Sequence, residues 1–177
     1  LFYVTFMMNG GDNDSDGKLE FYLYASTRNT SVKDVTITVT NPSTKWETAF
    51  TCNYNTVGKV SIPNTEGYLS DEDTVMQRGL IVKSTAPISL YASNYGSLSY
   101  GATNILPVKA LSKEYVIQTY SYDVNATEFA VVATKDGTKI SIDPKKNNIK
   151  KRGVIGVHYT GPFVIELNEG EAYLLRG

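Results

Sequence analysis

Apolar and polar side chains alternate with a period of two along most of this chain. From Glu20 to Ala25, Phe21, Leu23 and Ala25 point one way, and Glu20, Tyr22 and Tyr24 the other. Val35, Ile37 and Val39 oppose Thr36, Thr38 and Thr40, while Trp46, Thr48, Phe50, Cys52 and Tyr54 share a face. The scheme recurs at Val60/Ile62, Leu80/Val82, Ile88/Leu90, Phe129/Val131/Ala133, Ile140/Ile142 and Phe163/Ile165/Leu167. Successive side chains of a strand leave opposite faces, so this spacing predicts strands with one buried and one solvated side. No segment sustains the helical period. Asp16-Gly17, Asn41-Pro42, Asp136-Gly137, Gly161-Pro162 and Glu169-Gly170 supply turn chemistry between the runs. About ten short strands so spaced predict an all-β fold of antiparallel sandwiches or barrels.

The order of these runs repeats. Glu20-Phe21-x-Leu23-x-Ala25-Ser26 returns as Glu128-Phe129-x-Val131-x-Ala133-Thr134. The following strand ends in Asn41-Pro42 in one copy and Asp143-Pro144 in the other. Val60-x-Ile62 leads to Gly67-Tyr68-Leu69, and Val164-x-x-Leu167 leads to Ala172-Tyr173-Leu174. Upstream, Tyr3-Val4-Thr5-Phe6 parallels Tyr115-Val116-Ile117-Gln118. The expectation is two repeat-related antiparallel β-sandwich modules, residues 1–105 and 106–177, joined by an extended segment near Leu106-Pro107. The first copy continues through Gly79-Leu80-Ile81-Val82 and Ile88-Ser89-Leu90-Tyr91, for which the second has no counterpart. The second module is therefore expected to be completed by a strand from the rest of the parent chain or from another subunit.

Composition narrows the class. The 13 tyrosines against one tryptophan, with abundant Thr and Val, favour pleated strands. A net charge of −1 gives no global field to draw nucleic acid or an anionic membrane. No apolar run reaches the ~20 residues of a membrane helix. The single cysteine, Cys52, excludes an intrachain disulfide, and its place on an apolar face predicts a buried, inert thiol. The opening residues, Leu1 to Phe6, already read as a strand and show no signal peptide, as in a mature or excised piece of a longer chain.

Candidate chemistry is sparse. Asp12-Asn13-Asp14-Ser15-Asp16-Gly17 alternates carboxylates as calcium loops do, although the position where an EF-hand places its bidentate Glu is Leu23. It reads either as a non-EF calcium site using Asp12, Asp14, Asp16 and Glu20, or as a solvated hairpin loop. No cofactor is required by the pattern, and calcium is the one candidate ion. Asp71-Glu72-Asp73 reads as a solvated loop. Asn29-Thr30-Ser31 and Asn125-Ala126-Thr127 fit the N-glycosylation sequon. Lys145 to Arg152 gathers five positive charges without interleaved aromatics, the pattern of an exposed loop and not of a nucleic-acid surface. His158 is the sole histidine, which excludes multi-imidazole metal sites, and its neighbours Val157 and Tyr159 place it on a strand. No nucleophile elbow or phosphate-cradling glycine loop is present. Tyr91, Tyr95 and Tyr100, with Asn94, fall in a loop-rich stretch from Ala92 to Ala102 and form the candidate ligand-binding set. A tyrosine offers a rigid apolar face with a hydrogen-bonding tip, suited to sugars and proteins.

The stretches Phe2-Tyr3-Val4-Thr5-Phe6-Met7, Gly79-Leu80-Ile81-Val82-x-Ser84-x-Ala86-Pro87-Ile88, Ala102-Thr103-Asn104-Ile105-Leu106-Pro107-Val108-x-Ala110-Leu111, Tyr115-Val116-Ile117 and Thr127 to Ala133 together resemble the N-terminal domain family of IgGFc-binding proteins, in its bacterial, Bacteroidales-like branch. That resemblance implies a secreted or surface-attached, non-catalytic β module. It implies an adhesin-like role on a host or extracellular glycoprotein or mucin-type partner. Two other readings stand beside it: a structural β-repeat spacer of a larger surface protein, and a carbohydrate-active enzyme whose paired carboxylates leave no mark in sequence.

Overall fold

The computed structural model describes residues 1–7, 19–96, 100–118, 128–143, 149–150, 158–159 and 161–176. Regular structure within them is almost entirely β. Strands β1 (Phe2–Val4), β3 (Val35–Asn41), β4 (Trp46–Cys52) and β7 (Leu80–Ser84) form one antiparallel sheet in the order β1-β7-β3-β4. Strands β2 (Glu20–Ser26), β5 (Gly58–Ile62), β8 (Ser89–Tyr95) and β9 (Tyr100–Ile105) form a second, in the order β5-β2-β8-β9.

These two sheets share one core. Phe2 and Val4 of β1, Val35, Ile37 and Val39 of β3, and Leu80 and Val82 of β7 meet Phe21, Leu23 and Ala25 of β2 and Leu90 and Ala92 of β8. The inward sets are those the period-two pattern selects, because a one-residue slip would turn each set into water. Each large buried side chain contributes about 1.5–3 kcal/mol. Phe21 also packs on aromatic neighbours, with ring centroids 4.8 Å from Phe6 and 5.3 Å from Tyr68. Cys52 is buried as expected, and burial pushes its thiol pKa up. Tyr54, grouped with that face in sequence, lies beyond the end of β4 and is exposed.

Buried Asn41 closes one end of this core. Its side-chain amide donates to the carbonyls of Glu66 (3.0 Å) and Gln77 (3.1 Å), and its Oδ1 accepts from the Ser43 amide at 3.0 Å. An unpaired buried amide would cost about 1–3 kcal/mol, so the three bonds explain why a polar residue is tolerated there. The carbonyl of Glu66 comes from α1 (Asn64–Gly67), a single turn the periodicity does not reveal.

The carboxy-terminal part forms smaller sheets. β10 (Glu128–Val132) pairs with β15 (Ala172–Arg176), and β15 pairs on its other side with β6 (Val75–Met76). β11 (Thr138–Ile142) pairs with β14 (Phe163–Leu167), and β12 (Ile149–Lys150) with β13 (His158–Tyr159). One cluster gathers Ala133, Ile142, Leu167, Tyr173 and Leu175, and another joins Leu69 to Ala172 and Leu174. Thus a strand from residue 75 onward completes a sheet whose other members lie after residue 127. The seam is reinforced by Gly79 N–H to Gly170 O at 2.9 Å, Asp73 N–H to Leu174 O at 2.9 Å, and the Tyr3 hydroxyl donating to Glu169.

The repeated run order is not matched by equivalent pairing. The Glu-Phe strand β2 pairs with β5, whereas its counterpart β10 pairs with β15, and β14 pairs with β11 instead. Between the two parts, Pro107 is extended and followed by a 3-10 turn over Val108–Ala110. Residues 111–118 are exposed, with Val116 fully so.

Candidate functional site

The outer face of the β5-β2-β8-β9 sheet carries an unusual density of tyrosine. Because Phe21, Leu23 and Ala25 take the core side of β2, Glu20, Tyr22 and Tyr24 must leave on the other. Register then sets their neighbours. Glu20 lies across from Tyr95, and Tyr95 from Tyr100. In the next row Ser61, Tyr22, Ser93 and Ala102 align, and in the third Lys59, Tyr24, Tyr91 and Asn104. The small side chains of Ser93 and Ala102 leave space between rows of rings. The result is an open groove of about 450 Å³ edged by Glu20, Tyr22, Lys59, Tyr95 and Tyr100.

Its walls are ordered by contacts among themselves. Tyr95 and Tyr100 stack at 6.4 Å with their planes 21° apart, and Tyr22 and Tyr24 tilt against each other at 6.2 Å. Offset or tilted rings at such separations are favoured by the ring quadrupole. The Lys59 ammonium sits 3.6 Å from the Tyr22 ring centroid and 5.6 Å from that of Tyr24. A cation over an aromatic face at an exposed site contributes about 0.5–1 kcal/mol, enough to bias where a flexible lysine rests. The Tyr22 hydroxyl donates to Glu20 at 2.7 Å. That hydrogen bond, with a lesser effect of burial, raises the Tyr22 phenol pKa above its ordinary value.

Tyr91, Tyr95 and Tyr100 are 45%, 47% and 81% exposed, which leaves ring faces open to a ligand. Among the described residues, no protein group hydrogen-bonds the hydroxyls of Tyr24, Tyr91, Tyr95 or Tyr100. The groove therefore offers flat apolar faces, free hydroxyls, one cation and one carboxylate. It holds no paired carboxylates beyond the single Glu20, and no nucleophile–base pair. Among the described residues, no three His, Cys, Asp or Glu side chains come together as a metal site. Nor is any helix long and apolar enough to cross a membrane.

The sequence candidates separate in this setting. Tyr95 and Tyr100 edge the groove, and Tyr91 shares the face just outside it, beside Tyr24. They stand on strands, not in a loop: β8 runs to Tyr95 and β9 begins at Tyr100. Sequence hid β9 because all but its last residue are exposed, which removes the alternation that marks a strand. Asn94 points to the other side of the sheet at the groove's margin. Its Oδ1 accepts from Gly101 N–H at 3.0 Å and its Nδ2 donates to Met7 O at 3.4 Å, so it holds β9 in place. Glu20, assigned in sequence to a calcium set, joins the tyrosines; Asp12, Asp14 and Asp16 lie outside the described residues. Outside them too are the sequon at Asn125 and, except for the backbone of Ile149 and Lys150, the basic run from Lys145 to Arg152. Tyr22, Tyr24 and Lys59 went unselected, although the period-two pattern already put Tyr22 and Tyr24 on the solvent side.

Among known proteins, residues 101–177 match the family model described as IgGFc binding protein. The match takes in β9 from Gly101 onward and the whole carboxy-terminal part, and leaves residues 1–100, Tyr100 among them, outside it. No curated protein and no solved structure gave a significant match.

Proposed function

We propose that the chain is a non-catalytic, adhesin-like binding module of a secreted or cell-surface protein, and that the tyrosine face of the β5-β2-β8-β9 sheet contacts a glycoprotein or mucin-type partner. The observation that carries this reading is the open groove walled by the stacked rings of Tyr95 and Tyr100, whose hydroxyls no described residue engages. Aromatic faces pack on the C–H faces of sugars and on apolar peptide groups, while free hydroxyls bond the polar rim. The IgGFc binding protein match over residues 101–177 supports an extracellular binding role, and a bacterial surface setting is part of the same proposal. Two of the core clusters lie one in each of the proposed modules, 1–105 and 106–177, while the cluster of Leu69 with Ala172 and Leu174 joins them. In this reading calcium is not needed at the groove, since Glu20 is already held by Tyr22.

The test is binding of the intact parent protein to immobilised mucin, with and without Tyr91→Ala, Tyr95→Ala and Tyr100→Ala. Loss of binding in the folded triple variant is expected. Equal binding by that variant would discard the tyrosine face, and a broad glycan and protein array with no ligand would favour the spacer reading.

A further inference from the structure

Lys59 gives the groove a charge requirement. We infer that the groove takes a glycan bearing one carboxylate or sulfate, with the anion on the Lys59 ammonium and the sugar ring on Tyr95 and Tyr100; this rests on the binding reading above.

The ammonium is exposed, lies against the rings of Tyr22 and Tyr24, and has no carboxylate within ion-pair distance among the described residues, where the ion pair formed is Lys139–Glu166. An ammonium carries three donors and an aromatic face satisfies none of them as an acceptor oxygen would. Lys59 is thus ordered but unneutralised, a favourable starting state for a charge-assisted bond because part of the lysine's rotamer entropy is already lost.

Glu20 sets the opposite condition at the other edge. It faces Tyr95 in the register, two rows from the row that contains Lys59. Its Oε2 accepts from Tyr22, and its charge repels a second anion while accepting bonds from neutral hydroxyls. A cationic ligand would be opposed at Lys59, and a densely anionic polymer at Glu20. A ring with hydroxyls toward Glu20 and one acid toward Lys59 meets both. The unengaged hydroxyls of Tyr24, Tyr95 and Tyr100 supply the remaining polar contacts.

The experiment measures binding of the intact parent protein to mucin that is untreated, sialidase-treated, or chemically desulfated. Wild type, Lys59→Gln, Lys59→Arg and the double variant Tyr95→Ala/Tyr100→Ala are compared, each checked for an unchanged melting temperature. Removing one of the two acids is expected to weaken wild type roughly 3- to 10-fold, as loss of one exposed charge-assisted contact would. Lys59→Gln should show that loss already and no longer respond to the treatment, while Lys59→Arg retains most binding. The effective treatment identifies the acid as carboxylate or sulfate. If wild type binds all three mucins alike, or Lys59→Gln still responds as wild type does, the anion requirement is overturned while the binding reading stands. If mucin is not bound, or the double tyrosine variant binds unchanged, the site itself is wrong and the inference falls with it.

Discussion

Phe21 and Tyr22 are adjacent in the chain and opposite in consequence. Phe21 is fully buried between Phe6 and Tyr68, and Phe21→Ala should cost about 3–5 kcal/mol in urea unfolding, the usual penalty for emptying a large aromatic site. Tyr22 points outward, and Tyr22→Ala should leave stability nearly unchanged while freeing Glu20 and removing the rest for Lys59. A third aromatic, Tyr3, sets a pH response. Burial first, then its hydrogen bond and proximity to Glu169, push its pKa up from 10.0 to about 12. The folded state thus favours the neutral phenol, so this contribution to stability is complete below pH 10 and lost as pH rises toward 12. Chemical denaturation across that window should show the decline, and Tyr3→Phe should flatten it. The face each residue takes was legible wherever a neighbouring strand alternated. Carried two residues further, the alternation of Leu90 and Ala92 turns Tyr95 outward and leaves Asn94 half-buried at the groove's margin.

Among elements, legibility tracked the contrast between the two faces of a strand. β2 and β3, with one face sealed and the other wet, appear in the sequence nearly at their observed bounds. β9 is exposed on both faces and β6 is two residues long, so neither carries a period to read. The most informative pair is one motif in two environments. Val4 of β1 is 3% exposed and pairs with Leu80 of β7, whereas Val116, its counterpart in the repeated order, is fully exposed. Val4→Asp should therefore unfold the protein or cost more than about 3 kcal/mol, because a charge would enter the core. Val116→Asp should stay within about 0.5 kcal/mol. Thermal melts of the two variants make the comparison, and an equal cost would show that the exposed run is covered in solution.

For the whole molecule, the seam between the parts is what sequence left undescribed. Two-residue pairing of β6 with β15, the Gly79–Gly170 bond and the Tyr3–Glu169 contact depend on separations of many tens of residues, and no local pattern encodes them. Close approach does leave one trace: a Cβ at Gly79 would lie 2.5 Å from Gly170 O and 2.6 Å from Val132 Cγ2. Gly79→Ala must push the parts apart there, at a cost of about 1–3 kcal/mol, and should lower the melting temperature. The all-β class, the alternating cores and the wealth of tyrosine were legible in the chain. The groove was not, because it assembles three strands and a hairpin partner in register. The claim that this face binds is tested most directly by amide hydrogen exchange on the intact protein with and without a mucin glycopeptide. Added protection should concentrate in β8, β9 and β5 around Tyr95, Tyr100 and Lys59. Protection confined to other surfaces, such as residues 111–118, would contradict the account.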